Sequence, residues 1–167
     1  MAHVSPEIAL AITRQKARYG RYADTKQWDK FERDIALSDA RYSYCDVNGK
    51  PLQVGKQALV FDSARSAAAF FERFFAPQAT MHNLGVGDFE HTAEDEVQSV
   101  FGFEDQIVSK ALGSLAEIRG GGYYYETWKR VGGEWYIKDL KMVRTYQKAS
   151  LLVHVLLTIA GWLGVSV

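Results

Sequence analysis

"YYYETWKRVGGEWYIKDLKM", residues 123–142, decides the fold, because it contains two long strand patterns joined by a two-glycine turn. Apolar and polar side chains alternate on both sides of Gly132 and Gly133, as they do in paired antiparallel strands with one buried face. This segment predicts strands at 119–130 and 134–147, and similar patterns earlier in the chain predict strands at 78–85, 88–91 and 95–108. This half of the chain is therefore predicted to form an antiparallel sheet.

The chain before this sheet shows helical spacing. A first helix is predicted from Pro6 onward, a second in "TKQWDKFERDIAL" (25–37) and a third in "DSARSAAAFFERFFAP" (62–77), with an Asn48-Gly49 hairpin between the last two. The predicted helix caps are Ser5, Asp24 or Thr25, and Asp62 or Ser63. Helices followed by antiparallel strands are the order of an α+β fold.

Length and composition favour one compact domain without a nucleic-acid partner. The 167 residues suffice for a sizeable core, and 20 basic residues balance 20 acidic ones without a basic run. Cys45 stands alone, so neither a disulfide framework nor a thiolate metal site is expected. No signal peptide is recognised, and the cytoplasm is the expected compartment. The nine Tyr, nine Phe and four Trp fit either an apolar ligand cavity or a core with a dimer face.

The apolar C-terminal tail, "LLVHVLLTIAGWLGVSV" (151–167), is treated separately from the domain. It falls slightly short of the roughly 20 residues that cross a bilayer. We predict a cone domain at 1–149 and a tail at 150–167 that closes a pocket or contributes to an interface. Weak membrane association through the tail and a disordered end remain alternatives.

Four motifs resemble the SnoaL-like branch of the nuclear transport factor 2-like superfamily, to which scytalone dehydratase and polyketide cyclases belong. They are "YADTKQWDKF" (22–31), "ATMHNLG" (79–85), "EDEV" (94–97) and the segment at 123–142. The resemblance implies a cone-shaped α+β barrel, with N-terminal helices packed on a strongly curved antiparallel sheet around a pocket. It also implies homodimerisation and catalysis without a cofactor or metal.

The same resemblance implies an acid–base pair made by Asp24 and His82. A carboxylate that accepts from one imidazole nitrogen raises the basicity of the other. Without catalysis, Asp24 would be a helix cap and His82 a satisfied core histidine. Two departures limit the analogy, because Ala23 replaces the catalytic tyrosine of scytalone dehydratase and Ile107 replaces its second histidine.

Strand alternation supplies further candidates. Asp105 shares a strand face with two phenylalanines, and Tyr124 shares one with Glu126. Asp105 and Tyr124 complete the predicted catalytic set, as the group that returns the proton or donates to the oxyanion. Alternatively, Asp105 or Glu126 forms an ion pair with Arg144 or another cation, and Tyr124 is only a packing residue. The predicted substrate-binding residues are Tyr22, Phe101, Phe103, Glu126, Trp128, Leu140, Met142 and Arg144.

These features predict a cofactor-independent lyase or isomerase that acts on an apolar, oxygenated small molecule. By resemblance the substrate is a polyketide- or terpenoid-type intermediate, transformed by dehydration, cyclisation or a double-bond shift. The alternative is a non-catalytic ligand-binding or dimerisation module, since one fold hosts many functions.

Overall fold

The computed structural model describes residues 4–155 of the chain. Two helices precede the first strand of the main sheet, and a third lies between the second and third strands of that sheet. They are α1 (Pro6–Asp24), α2 (Trp28–Asp34) and α3 (Ala64–Phe75). Ser5 and Ser63 cap α1 and α3 through their hydroxyls, as predicted. The predicted cap of α2 is wrong: Gln27 occupies that position without a side-chain bond, and Asp24 is the last residue of α1. The Asp24 carboxylate is thereby free for other partners.

Six strands form one curved sheet in the order β4-β1-β8-β7-β6-β5, and two short strands pair separately. The strand bounds are β1 (Ala36–Cys45), β2 (Gln53–Val54), β3 (Gln57–Ala58), β4 (Val60–Phe61), β5 (Gln78–Ala93), β6 (Glu96–Ser109), β7 (Gly113–Val131) and β8 (Glu134–Ala149). All neighbours are antiparallel except β1 and β8. The parallel pair is possible because α3 and six other strands lie between its members along the chain.

The β7–β8 hairpin and its turn confirm the segment that decided the fold. Gly132 and Gly133 both have positive φ, 60° and 93°, the geometry that a tight two-residue turn requires. The Asn48-Gly49 turn is also present, and Gly49 has a φ of 75°. The segment after it makes a single bridge to β1, between Pro51 and Cys45, and then leaves it.

Two irregularities in the sheet change the sequence prediction. The predicted strands at 78–85 and 88–91 are one long strand, β5, with a register shift between Leu84 and Gly87. A second shift lies opposite Gly121 and Gly122 on β7, and it breaks the strict alternation of β8. Unbroken alternation would place Tyr146 on the buried face with Arg144. Because of the shift, Tyr146 instead lies exposed, and its hydroxyl donates to Glu104.

The helices cover the concave face of the sheet, where an aromatic core lies between the two layers. The indole of Trp28 stacks on Phe71 and Phe75, and the ring of Phe31 lies edge-on to it. Beyond β8 the chain is helical at 151–155, whereas most of the predicted tail (156–167) lies outside the described residues. Within the described part of the chain, no helix is long and apolar enough to cross a membrane. The predicted cone architecture is confirmed.

Candidate active site

A cavity of about 400 Å³ lies between the helices and the concave face of the sheet. Its wall is mostly aromatic and aliphatic with several polar side chains among them, a composition typical of a small-molecule site. Val153, from the start of the predicted tail, is part of the wall. The polar and ionisable lining residues are Tyr19, Tyr44, Gln53, Gln78, His82, Asp105, Tyr124, Arg144 and Gln147.

Asp24 and His82 form the pair that the resemblance implied. The Nδ1 atom of His82 lies 2.7 Å from Oδ1 of Asp24, and the backbone N–H of His82 donates to Oδ2 at 2.9 Å. Thr80 donates its hydroxyl to Oδ1 at 2.9 Å, and Lys26 donates to Thr80 at 2.8 Å. The carboxylate at the end of α1 is thus fixed against two alternate residues of β5. His82 lines the cavity, whereas Asp24 contacts His82 without being part of the cavity wall.

This arrangement sets the protonation pattern of the pair. Burial by itself would raise the pKa of Asp24, but the hydrogen bonds and charge of His82, with help from Thr80, outweigh burial and lower it. When the imidazole carries a single proton, an ionised Asp24 holds that proton on Nδ1, so Nε2 is left as the proton-accepting nitrogen. The histidine at the cavity wall therefore has the tautomer of a general base.

Asp105 faces His82 across the β5–β6 register but is bound by a cation. Arg144 donates from both terminal nitrogens to its two carboxylate oxygens, at 3.0 and 2.7 Å, and both side chains are buried. Gly120 makes room for this pair, because a Cβ atom there would occupy the position of the guanidinium. The sequence leaves this pairing open as the alternative to a catalytic role for Asp105, and the structure contains it. A carboxylate held by a bidentate guanidinium is a poor proton donor.

Three tyrosines supply hydroxyl groups near the same cavity. The hydroxyls of Tyr19 and Tyr44 lie 3.1 Å apart, and the ring of Tyr19 lies edge-on to that of Tyr124. Burial raises the pKa of Tyr44 and Tyr124 well above the usual value. These phenols consequently keep their protons at ordinary pH and can donate hydrogen bonds to a ligand oxygen. The sequence did not identify Tyr19 or Tyr44 as site residues. The helical spacing of Tyr19 with Ile12 on α1 is the pattern that indicates a buried side chain there.

Glu126 does not line the cavity but forms an ion pair with a lysine that the sequence did not predict as its partner. Its Oε1 atom lies 2.6 Å from Nζ of Lys16, and neither side chain is more than 1% exposed. Its second oxygen accepts from Ser99, whose hydroxyl accepts in turn from the indole of Trp128. Lys16 was overlooked because a lysine on an amphipathic helix is normally solvated.

Several predicted substrate-binding residues lie outside the cavity wall. Met142 and Arg144 line the cavity, whereas Phe101 packs against Phe89 and Phe103 packs against Tyr124. The reason is geometric: strand alternation identifies the face but not the height along the cone, and side chains fill its narrow end. Those that do not line the cavity are Tyr22, Phe101, Phe103, Glu126, Trp128 and Leu140.

A larger, more open groove of about 890 Å³ lies elsewhere on the sheet and is bordered by Glu126 and Leu140. It contains neither His82 nor Asp24, whereas His82 lines the smaller cavity. Across residues 4–155, no group of three or more histidine, cysteine or acidic side chains is arranged to hold a metal ion.

Comparisons with known proteins agree with the geometry. A model of the SnoaL-like domain matches residues 7–141. A relative from Gibberella zeae, named "Probable cyclase FGR4", is 36% identical over 145 residues, which are 87% of this chain and 96% of that protein.

Solved structures share the fold at low sequence identity. The "Putative Scytalone Dehydratase" of Novosphingobium aromaticivorans is 15% identical, with a TM-score of 0.69 over 83% of this chain and 84% of that one. A hexachlorocyclohexane dehydrochlorinase, LinA Type2, is also 15% identical, with a TM-score of 0.67 over 84% and 86% of the two chains. The motifs, the cone and the domain match lead to one assignment: this chain belongs to the SnoaL-like family within the nuclear transport factor 2-like fold.

Proposed function

We propose that the chain is a cofactor-independent lyase or isomerase in which His82 is the general base and Asp24 orients it. The observation that carries this proposal is the 2.7 Å contact between Nδ1 of His82 and Asp24 at the wall of an aromatic cavity. A relative named as a cyclase, and a dehydrochlorinase with the same fold, support the reaction class. Both names describe those proteins alone.

The chemistry begins with abstraction of a proton from a carbon next to a carbonyl. Nε2 of His82 takes this proton, and Asp24 stabilises the imidazolium that forms. The electron pair moves onto the carbonyl oxygen, where a phenol of the Tyr19–Tyr44–Tyr124 group donates a hydrogen bond. The resulting enolate then expels a leaving group, closes a ring or is reprotonated at another carbon, and His82 returns the proton.

The second catalytic group is best assigned to a tyrosine. Asp105 is engaged by Arg144 through two bonds, so its charge is already neutralised. Tyr124 keeps its proton, because burial raises the pKa of its hydroxyl. We therefore assign Tyr124 as the donor, and we assign Asp105 to holding Arg144 at the wall.

The substrate is inferred to be a neutral, apolar molecule with carbonyl or hydroxyl oxygens. Each ionised side chain at the wall has an internal counter-charge, as Asp105 has Arg144, so a charged ligand would find no free partner. Aromatic rings dominate the rest of the surface. A polyketide or terpenoid intermediate fits this description, and it remains our proposal for the substrate class.

The decisive experiment uses metabolite extracts from a strain that lacks the gene. Purified wild type should convert an accumulated intermediate, and His82→Ala should lower the rate about 100-fold or more, the usual contribution of a general base. His91→Ala is the matched control, because His91 lies on the same strand but is outside the cavity lining. It should retain the wild-type rate.

Two results would contradict the proposal. If His82→Ala converts the intermediate as fast as wild type, His82 is not the base. If wild type binds an intermediate tightly but converts none, the cone serves as a ligand-binding or dimerisation module instead.

A further inference from the structure

Lys16 is a buried charge that the proposed chemistry does not use. It lies in the third turn of α1, faces the sheet and is 1% exposed. Its Nζ atom lies 2.6 Å from Glu126, 3.3 Å from the ring centre of Tyr124 and 4.0 Å from that of Tyr19. The ammonium is not part of the cavity wall, but both rings that it contacts are. It therefore lies directly behind the hydroxyl-bearing side of the cavity.

Stability alone is a weak reason for such an arrangement. Removing two charges from water is costly, and neutral pairs of similar volume often replace buried ion pairs without loss of stability. The contacts of Lys16 are also specific, because a cation against the face of an aromatic ring is attracted by its π electrons and restricts its orientation. A cation so placed withdraws electron density from a phenol and makes its O–H a better donor.

We propose that Lys16 is a positioning residue, which fixes the rings of Tyr19 and Tyr124 and strengthens the hydrogen bond that their hydroxyls donate to a ligand oxygen. The inference rests on the proposed function for the role of those hydroxyls. Glu126 holds the ammonium in place and is itself fixed by Ser99. The ion pair is thus a support for the donor group and not a ligand contact.

The charged and titratable groups around Lys16 make the proposal measurable. Tyr19 faces it from α1, and Glu126 and Tyr124 face it from β7; Phe101 of β6, the remaining neighbour, has no charge. Farther out, the charge of Glu126 adds to burial in raising the pKa of Tyr42 and Tyr44. Asp105 likewise raises the pKa of Tyr124, and Arg144 lowers it. Burial lowers the pKa of Lys16 to about 8, despite the opposing charge of Glu126, whereas burial raises those of the surrounding tyrosines.

The test is a ¹³C NMR titration of the Cζ atoms of Tyr19 and Tyr124, assigned with Tyr→Phe variants, between pH 6.5 and 10. Both resonances should shift with a midpoint near pH 8 as Lys16 loses its proton. The shift should disappear in Lys16→Met/Glu126→Gln. The control Lys138→Met/Glu96→Gln makes the same changes at a half-buried pair outside the cavity lining and should leave the chemical-shift change intact.

The proposal would be overturned if the tyrosine Cζ resonances of the wild type showed no titration step near pH 8, or if that step persisted in Lys16→Met/Glu126→Gln. The wild-type titration needs no substitution, so an unstable variant would not prevent the decision. With a converted substrate, Lys16→Met/Glu126→Gln should lower kcat about tenfold and change KM less than twofold, since the loss of a whole oxyanion donor costs about 100-fold. If the titration step is present but wild type turns nothing over, the proposed function fails and the positioning role of Lys16 stands.

Discussion

At the scale of single residues, the chemistry depends on which partner each polar side chain has. His82 could be a satisfied core histidine by its position in an apolar strand. Its Nδ1 contact with Asp24 and its place at the cavity wall make it a candidate base instead. Asp105 also lies on a strand among apolar residues, but the charge of its carboxylate is neutralised by Arg144. The partner, and not the residue type, separates these roles.

Asp24→Asn tests this distinction directly. An Asn side chain can donate its amide to Nδ1 of His82 and so stabilise the tautomer that carries its proton on Nε2. Ring ¹⁵N chemical shifts of His82 should report this exchange, and turnover should fall about 100-fold or more. Thr80→Val removes only one hydrogen bond to Asp24 and should have a much smaller effect. An unchanged tautomer together with unchanged turnover would rule out the orienting role of Asp24.

At the scale of elements, the register of the strands brings the site together. The β5–β6 pairing sets His82 beside Asp105, and the next pairing sets Asp105 beside Gly120 of β7. The missing side chain at Gly120 leaves the space that the guanidinium of Arg144 occupies, one strand further on β8. Four neighbouring strands therefore determine the polar wall of the cavity.

Gly120→Ala should break this arrangement. The added methyl group displaces the guanidinium, and Asp105 is left buried without its partner, a loss of about 3 kcal/mol in the free energy of unfolding. Gly102→Ala is the matched control on β6, because a Cβ there meets only the ring of Tyr123 at an ordinary 3.8 Å. Urea unfolding measures both variants. Equal stability of the two would show that Gly120 does not hold the pair open.

At the scale of the whole molecule, an aromatic core and a set of acid–cation pairs stabilise one cone. Among the described residues, five carboxyl groups have a pKa below the usual value, because hydrogen bonds or neighbouring cations favour their charged form. They are Glu7, Asp24, Asp46, Asp95 and Glu96. Glu7 and Asp95 lie exposed at the surface, so solvent weakens their contribution.

These pKa values predict how stability depends on pH. Carboxyls with a lowered pKa bind protons less readily in the folded protein than in the unfolded chain. Their contribution is present above the ordinary pKa of about 4 and is lost as the pH falls through the lower values of the folded state. The melting temperature should therefore rise between pH 2.5 and about 5, as scanning calorimetry can measure. A melting temperature that is constant or falls over this range would contradict the assignment.

The sequence by itself determined the three helices, the β7–β8 hairpin and, with the family motifs, the identity of the Asp24–His82 pair. Those features follow from short-range periodicity, capping chemistry, turn glycines and family motifs. Only the tertiary structure decided which buried charges pair, since Lys16 and Glu126 are 110 residues apart and Asp105 and Arg144 are 39 apart. It also decided the parallel contact of β1 with β8 and the outward turn of Tyr146 at the β7–β8 irregularity. Alternation along one strand specifies a face, but depth within a cone and the partner of a charge depend on how distant strands register.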